Sequence, residues 1–114
     1  MSMRDDSISL KDMLNRAREA VALLGDTSRE NFWEQRVLQL ALTHLVEIVG
    51  EAANRVTEDT RKAHPEIPWP RIIGMRNRLV HGYDVIDYDM LWDTVTNDLP
   101  PLIGMLEGIV GKED

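Results

Sequence analysis

The sequence contains no cysteine, which excludes disulfides, thiolate metal ligands and a cysteine nucleophile. It has no apolar stretch near the roughly 20 residues that a membrane-spanning helix needs. Its first residues, Met1 to Ser7, carry Arg4, Asp5 and Asp6 and lack the apolar run of a secretory leader. A cytoplasmic protein is therefore expected. Repeats, low-complexity tracts and alternating strand patterns are absent. No glycine-rich phosphate loop is present, so the chain is not expected to bind ATP itself. Basic charge is also short: 13 Lys and Arg stand against 20 Asp and Glu, for a net charge of −7. Such a body repels phosphate, and any nucleic-acid chemistry would have to rest on a local basic site.

What is there is an ordinary apolar fraction, 43% of 114 residues, enough for one domain spanning residues 1–114. From about Ser7 to Leu24, Leu10, Met13, Leu14, Ala17, Val21 and Leu24 recur at helical spacing, and Gly25 supplies a stop. Thr27 and Glu30 have the spacing of a capping box for a second stretch that reaches about Val56, with a break near Glu34. There Leu38, Ala41, Leu42, Leu45, Val49, Ala52 and Val56 form one stripe, and Val37, Leu40 and Ile48 widen it. A helix covered on one side needs less apolar surface than this, so burial against both its own bundle and a second subunit is expected. Gly50, Ala52 and Ala53 would permit close helix approach. Thr57 suits the cap of a short turn ending near His64 and Pro65. Pro68-Trp69-Pro70 opens a third main helix over about Pro70 to His81, with Gly82 as its C′ glycine. Asp87 suits the cap of a fourth, whose stripe is Leu91, Val95, Leu99, Leu102, Leu106 and Val110; Pro100-Pro101 should bend it. The expected architecture is all-α, a four-helix bundle.

The chemistry-bearing segment runs from Gly74 to Tyr83, and Arg71, Arg76, Arg78 and His81 form a short basic stretch free of Asp and Glu. Arginine can grip a phosphate through two parallel hydrogen bonds. Histidine can take or give a proton near neutral pH. Five residues apart, Arg76 and His81 point roughly 140° apart on a regular helix, a poor arrangement for one phosphate. Either the helix ends at His81 and the side chain swings round, or two copies meet across a twofold axis and pool the residues. On spacing alone, an arginine on a helix face and a histidine as a dipole partner at its end are equally ordinary features.

The string Arg76-x4-His81-x-Tyr83 resembles the R-x4-H-x-Y signature of the HepT toxins, within the HEPN superfamily. Ile48-Val49-Gly50-Glu51-Ala52 resembles that family's I-x-G-E-A run, and Pro65-Glu66-Ile67-Pro68-Trp69 its P-x-I-P-W segment. The Met75-Arg76-Asn77 run and His81-Gly82-Tyr83 fit the same pattern. The resemblance implies a helical homodimer that is a toxin-type endoribonuclease, with Arg76 and His81 of both subunits in one composite, metal-independent site and no cofactor. It also implies a minimal nucleotidyltransferase antitoxin, MntA-like, that adenylylates Tyr83. Asn77 fills the R-N position as a shaping residue.

Glu51 is expected to pair with a basic residue such as Arg76 and orient it, and Arg71 and Arg78 to contact RNA. His44, with Glu47 and Glu51, makes a helix-face cluster, but metal-type histidine spacing is missing. Trp33, Trp69 and Trp92 suit core or interface roles better than base stacking. The alternative function is a non-catalytic substrate-binding or regulatory subunit of a nucleotidyltransferase, in which Arg76 and His81 only recognise phosphate.

Overall fold

The computed structural model describes residues 3–82 and 85–111, with the side chains of residues 3–5 left aside. Helix α1 (Met3–Leu24) buries Leu10, Met13, Leu14, Ala17, Ala20 and Leu24. It ends where expected: Gly25 has φ +54° and its N–H bonds to the Val21 carbonyl at 2.9 Å. A short α2 (Arg29–Trp33) follows, capped by Ser28, whose hydroxyl accepts from the Asn31 N–H at 3.1 Å. The cap is thus one residue beyond Thr27, because Ser28 is the residue whose oxygen reaches an orphan amide.

The break near Glu34 separates α2 from α3 (Arg36–Arg55). Buried Gln39 stabilises it, its amide donating to the Phe32 and Trp33 carbonyls at 3.0 and 2.9 Å. Helix α1 packs on α3 and on the helix at residues 99–110, and α3 also meets the helical segments at residues 69–73, 75–79 and 88–93. Leu42, Val46 and Val49 from α3 join Met13, Leu14, Phe32, Leu91, Leu99, Leu102 and Leu106 in the core. Gly50 brings α3 against the next segment: a Cβ there would lie 3.1 Å from the Ile72 carbonyl oxygen.

Thr57 precedes α4 (Glu58–Ala63), which ends at His64. Its hydroxyl and N–H both donate to the buried carboxylate of Asp6, at 2.6 and 3.0 Å, and the Thr60 hydroxyl adds a third bond at 2.5 Å. Burial alone would raise the Asp6 pKa; these hydrogen bonds outweigh it and hold the carboxyl below its ordinary value of 3.8. The start of the chain is thereby tied to the α3–α4 junction.

The third main helix departs from expectation in three ways. It is two short pieces, α5 (Trp69–Ile73) and α6 (Met75–Leu79), joined at Gly74. It stops at Leu79, and Val80–His81 is strand β1, paired antiparallel with β2 (Val85–Ile86) in the register Val80 to Ile86 and His81 to Val85. Strands of two residues are too short to display the alternation that marks a strand in sequence, and their β-branched residues favour the extended form. Gly82 does have positive φ, +58°, but in the hairpin rather than as a helix C′ residue.

Asp87 caps α7 (Tyr88–Asp93), its carboxylate accepting from the Met90 N–H at 3.0 Å. The helix runs on through Pro100-Pro101 rather than ending there, as expected, by way of a π-helical turn, Thr94–Asp98, before α8 (Leu99–Val110). In a regular helix the two proline rings would clash with the carbonyls of Thr96 and Asn97; the wider turn opens that geometry. It also sets the phase. The stripe from Leu91 to Val110 covers about 5.3 regular turns, and a π turn absorbs roughly one residue, leaving close to five whole turns on one face.

Candidate active site

Arg76 is the second residue of α6, where the close approach set by Gly50 places it beside α3. Its Nε donates to Glu47 Oε2 at 2.7 Å, while its side chain remains 57% exposed. The carboxylate partner is therefore Glu47, one turn before Glu51. With Arg76, Asn77, Glu47, Gly50, Glu51, Asn54 and Ile73 line a shallow groove of about 180 Å³. Asn77 and Glu51 thus both belong to the groove, Glu51 as a wall. Glu47 was legible in sequence only as part of the helix-face cluster with His44 and Glu51. Its pairing with Arg76 spans 29 positions and depends on how α3 meets α6.

His81 is exposed on β1 and is not among the residues lining that groove. Its Nε2 lies 3.9 Å from Asp87 Oδ2, within ion-pair reach for a protonated imidazole and beyond a hydrogen bond. Asp87 was expected only as a helix cap; its other carboxylate oxygen performs that task. Tyr83 lies outside the described residues.

Arg71 and Arg78 are not among the residues lining that groove. Arg71 forms an ion pair with Asp98 at 3.0 Å, and an Arg78 terminal nitrogen donates to the Arg71 carbonyl at 3.1 Å. Burial holds the Arg78 pKa below its ordinary value, aided by neighbouring Arg71 and opposed by Asp98; a guanidinium stays charged regardless. Trp69 is buried with its Nε1 donating to the His64 carbonyl, and Trp92 packs on Phe32 at 5.3 Å. Trp33 is 41% exposed. Among the described residues no cluster of three or more His, Asp or Glu is placed to hold a metal. No described helix is long and apolar enough to cross a membrane.

One face of α3 links the groove to the rest of the surface. Val37, Leu40, His44, Glu47 and Glu51 succeed one another at steps of three and four, so they form one outward stripe. Its groove end is acidic and its other end apolar, with Val37 81% and Leu40 40% exposed. Leu23, Val37, Leu38 and Ala41 share an open hollow beside it.

The geometry can be set beside known proteins. The profile of the ribonuclease HepT-like family matches residues 11–109. A protein of Thermococcus cleftensis, named a probable ribonuclease HepT, is 38% identical over 87% of this chain and 94% of its own length. A Methanocaldococcus jannaschii protein is 34% identical over 90% of this chain and 94% of its own. A Caldanaerobacter subterraneus protein is 31% identical over 91% and 93%, and these last two carry the name "putative RNase". No solved structure gives a significant match. By the extent of these matches, the chain belongs to the HepT-like ribonuclease family.

Proposed function

We propose that this chain is the endoribonuclease toxin of a toxin–antitoxin pair, acting as a homodimer in which Arg76 and His81 of both subunits form one site. The observation that carries this reading is the separation of the two groups within one protomer. Arg76 lines the groove, whereas His81 stands exposed on β1 outside its walls. Cleavage of a phosphodiester needs a charge clamp and a proton carrier together, and a second copy supplies the missing member. The α3 stripe supports the arrangement, since a copy seated on Val37 and Leu40 would adjoin the groove.

In this scheme a His81 imidazole takes the proton of the RNA 2′-hydroxyl, and that oxygen attacks the adjacent phosphorus. The bond to the 5′-oxygen breaks, and an imidazolium protonates the departing oxygen. The products are a 2′,3′-cyclic phosphate and a 5′-hydroxyl end. Arg76 stabilises the added negative charge on the phosphorane, the kind of electrostatic help that usually contributes most. RNA supplies its own nucleophile, so no metal takes part. Arg71 and Arg78 contribute flanking positive charge. Family resemblance supports an MntA-like nucleotidyltransferase partner that adds AMP to Tyr83. Two residues from His81, that group would bring bulk and negative charge to the mouth of the site and repel phosphate.

The test is RNA cleavage by purified protein. Arg76→Ala and His81→Ala should each lower the rate about 100-fold or more while the helical circular dichroism is unchanged. Cleavage should persist in EDTA and stop at a linkage whose 5′ nucleotide is 2′-deoxy. A folded His81→Ala protein that cuts at the wild-type rate would remove the assignment. Wild-type protein that binds RNA and a nucleotidyltransferase yet never cuts would favour the regulatory-subunit alternative.

A further inference from the structure

Glu47 is a carboxylate in the groove to which the mechanism above gives no task. We propose that it is the positioning residue for Arg76, aiming one defined edge of the guanidinium at the scissile phosphate. This rests on the cleavage reading given above and adds a residue to it.

A guanidinium has two edges that can form paired hydrogen bonds. One combines Nε with a terminal nitrogen, and the other combines the two terminal nitrogens. Glu47 Oε2 occupies the Nε–H at 2.7 Å. The first edge is therefore spent on α3, and the second is left to meet two phosphate oxygens in the fork geometry that arginine favours. Among the described residues, the terminal nitrogens of Arg76 have no hydrogen-bond partner of their own, and the side chain is 57% exposed. Glu47 is the more buried of the pair, with 26% of its side chain exposed, so α3 acts as the fixed wall and Arg76 as the group being held.

The backbone supports the same arrangement. Glu47 lies three residues before Gly50, whose missing side chain lets the Ile72 carbonyl come within 3.1 Å of where a Cβ would stand. Such contact fixes the distance between α3 and the α5–α6 pair, and with it the reach from Glu47 to Arg76. An arginine on a five-residue helix with an open groove in front of it would otherwise sample many rotamers, each costing alignment at the phosphorus. Glu51 lines the same groove but donates nothing to this constraint, because Arg76 makes no bond to it.

The acceptor, rather than the charge, is the feature that aims the fork. Glu47→Gln keeps a carbonyl oxygen in place, whereas Glu47→Ala removes the acceptor. In single-turnover assays on a short single-stranded RNA, Glu47→Ala should lower the cleavage rate constant about tenfold with RNA affinity equal to or tighter than wild type. Tighter binding is expected because a negative charge leaves the groove. Glu47→Gln should recover most of the rate. A second readout does not involve cleavage: in ¹H–¹⁵N spectra the Arg76 Nε–H should be protected from exchange in the wild type and in Glu47→Gln, and exposed in Glu47→Ala. If Glu47→Ala cuts within twofold of wild type while Arg76→Ala is inactive, the positioning role is overturned and the cleavage reading stands. If Arg76→Ala itself cuts normally, the cleavage reading falls, and the Nε–H protection still decides whether the Glu47 tether exists. An unprotected Nε–H in the wild type overturns the tether outright.

Discussion

Asp6 is a carboxylate in a place where an apolar residue would be the default, and it is kept there by three donors from the α3–α4 junction. Its folded pKa lies below the ordinary value of 3.8, so the unfolded chain binds the proton more readily and the carboxylate adds stability as pH rises. That contribution is in place above pH 3.8 and is lost as pH falls through the lower folded value. Asp6→Asn should cost about 2 kcal/mol at neutral pH, the scale of lost hydrogen bonds to a charged group. Urea unfolding of the two proteins at pH 6 and pH 3 should show the gap narrowing in acid; an equal gap at both would mean that the charge is not what α4 requires. At the same scale stands Tyr83. Incubation with a cognate nucleotidyltransferase, ATP and Mg²⁺ should place AMP on Tyr83 by mass spectrometry, and Tyr83→Phe should remain active and escape silencing. AMP found on Tyr88 instead would locate the switch elsewhere.

The elements are held by a few close approaches rather than by propensity alone. α5 and α6 are five residues each, too short to be stable as isolated helices, and they persist because Trp69, Ile72, Met75 and Leu79 are buried. Gly50 is where α3 meets this pair. Gly50→Ala would put a methyl 3.1 Å from one backbone oxygen and 3.5 Å from another, and backbone cannot swing aside as a flexible side chain can. Overpacking of this kind costs about 1–3 kcal/mol, against roughly 1 kcal/mol gained from replacing glycine in a helix. A net loss of about 1 kcal/mol is expected, read as a melting temperature lower by several degrees. A variant as stable as wild type would show that α5 can retreat at no cost. The π turn belongs to this scale too. It answers a conflict between the proline pair and the helix ladder, and it leaves the apolar face continuous.

For the whole molecule, assembly turns on α3. Of the residues that widen its stripe, Ile48 is half-covered by the protomer itself, whereas Val37 and Leu40 are left to solvent at 81% and 40% exposed. Sedimentation should give a dimer at micromolar concentration. Val37→Asp combined with Leu40→Asp should dissociate it and abolish RNA cleavage, leaving the melting profile of a folded monomer, because neither side chain supports the core. If the double variant stays dimeric, the interface lies on another face; if it becomes a fully active monomer, the composite site is wrong.

Much of this protein was decided locally and could be read directly. The spacing of Leu10 through Leu24 and of Leu91 through Val110, the stop at Gly25, the break at Glu34 and the cap at Asp87 are local or periodic features, and the helices follow them. The candidate site's residues are equally close in sequence, Arg76, Asn77 and His81 lying within six positions, although the helix expected to carry them divides at Gly74 and ends at Leu79. What the periodicity could not express was anything needing a partner far along the chain. The Arg76–Glu47 pair spans 29 positions and the Asp6–Thr57 bond 51. The end of the third helix at Leu79 was equally hidden: helix and strand compete there over two residues, and the pairing of Val80 with Ile86 resolves the contest. Sequence alone determined which residue types stand together in the candidate site and which faces are apolar, because those depend on side-chain type and period. Only the tertiary structure decided that Glu47 rather than Glu51 holds Arg76, and that His81 stands outside its groove, because both depend on where separate elements come to rest against one another.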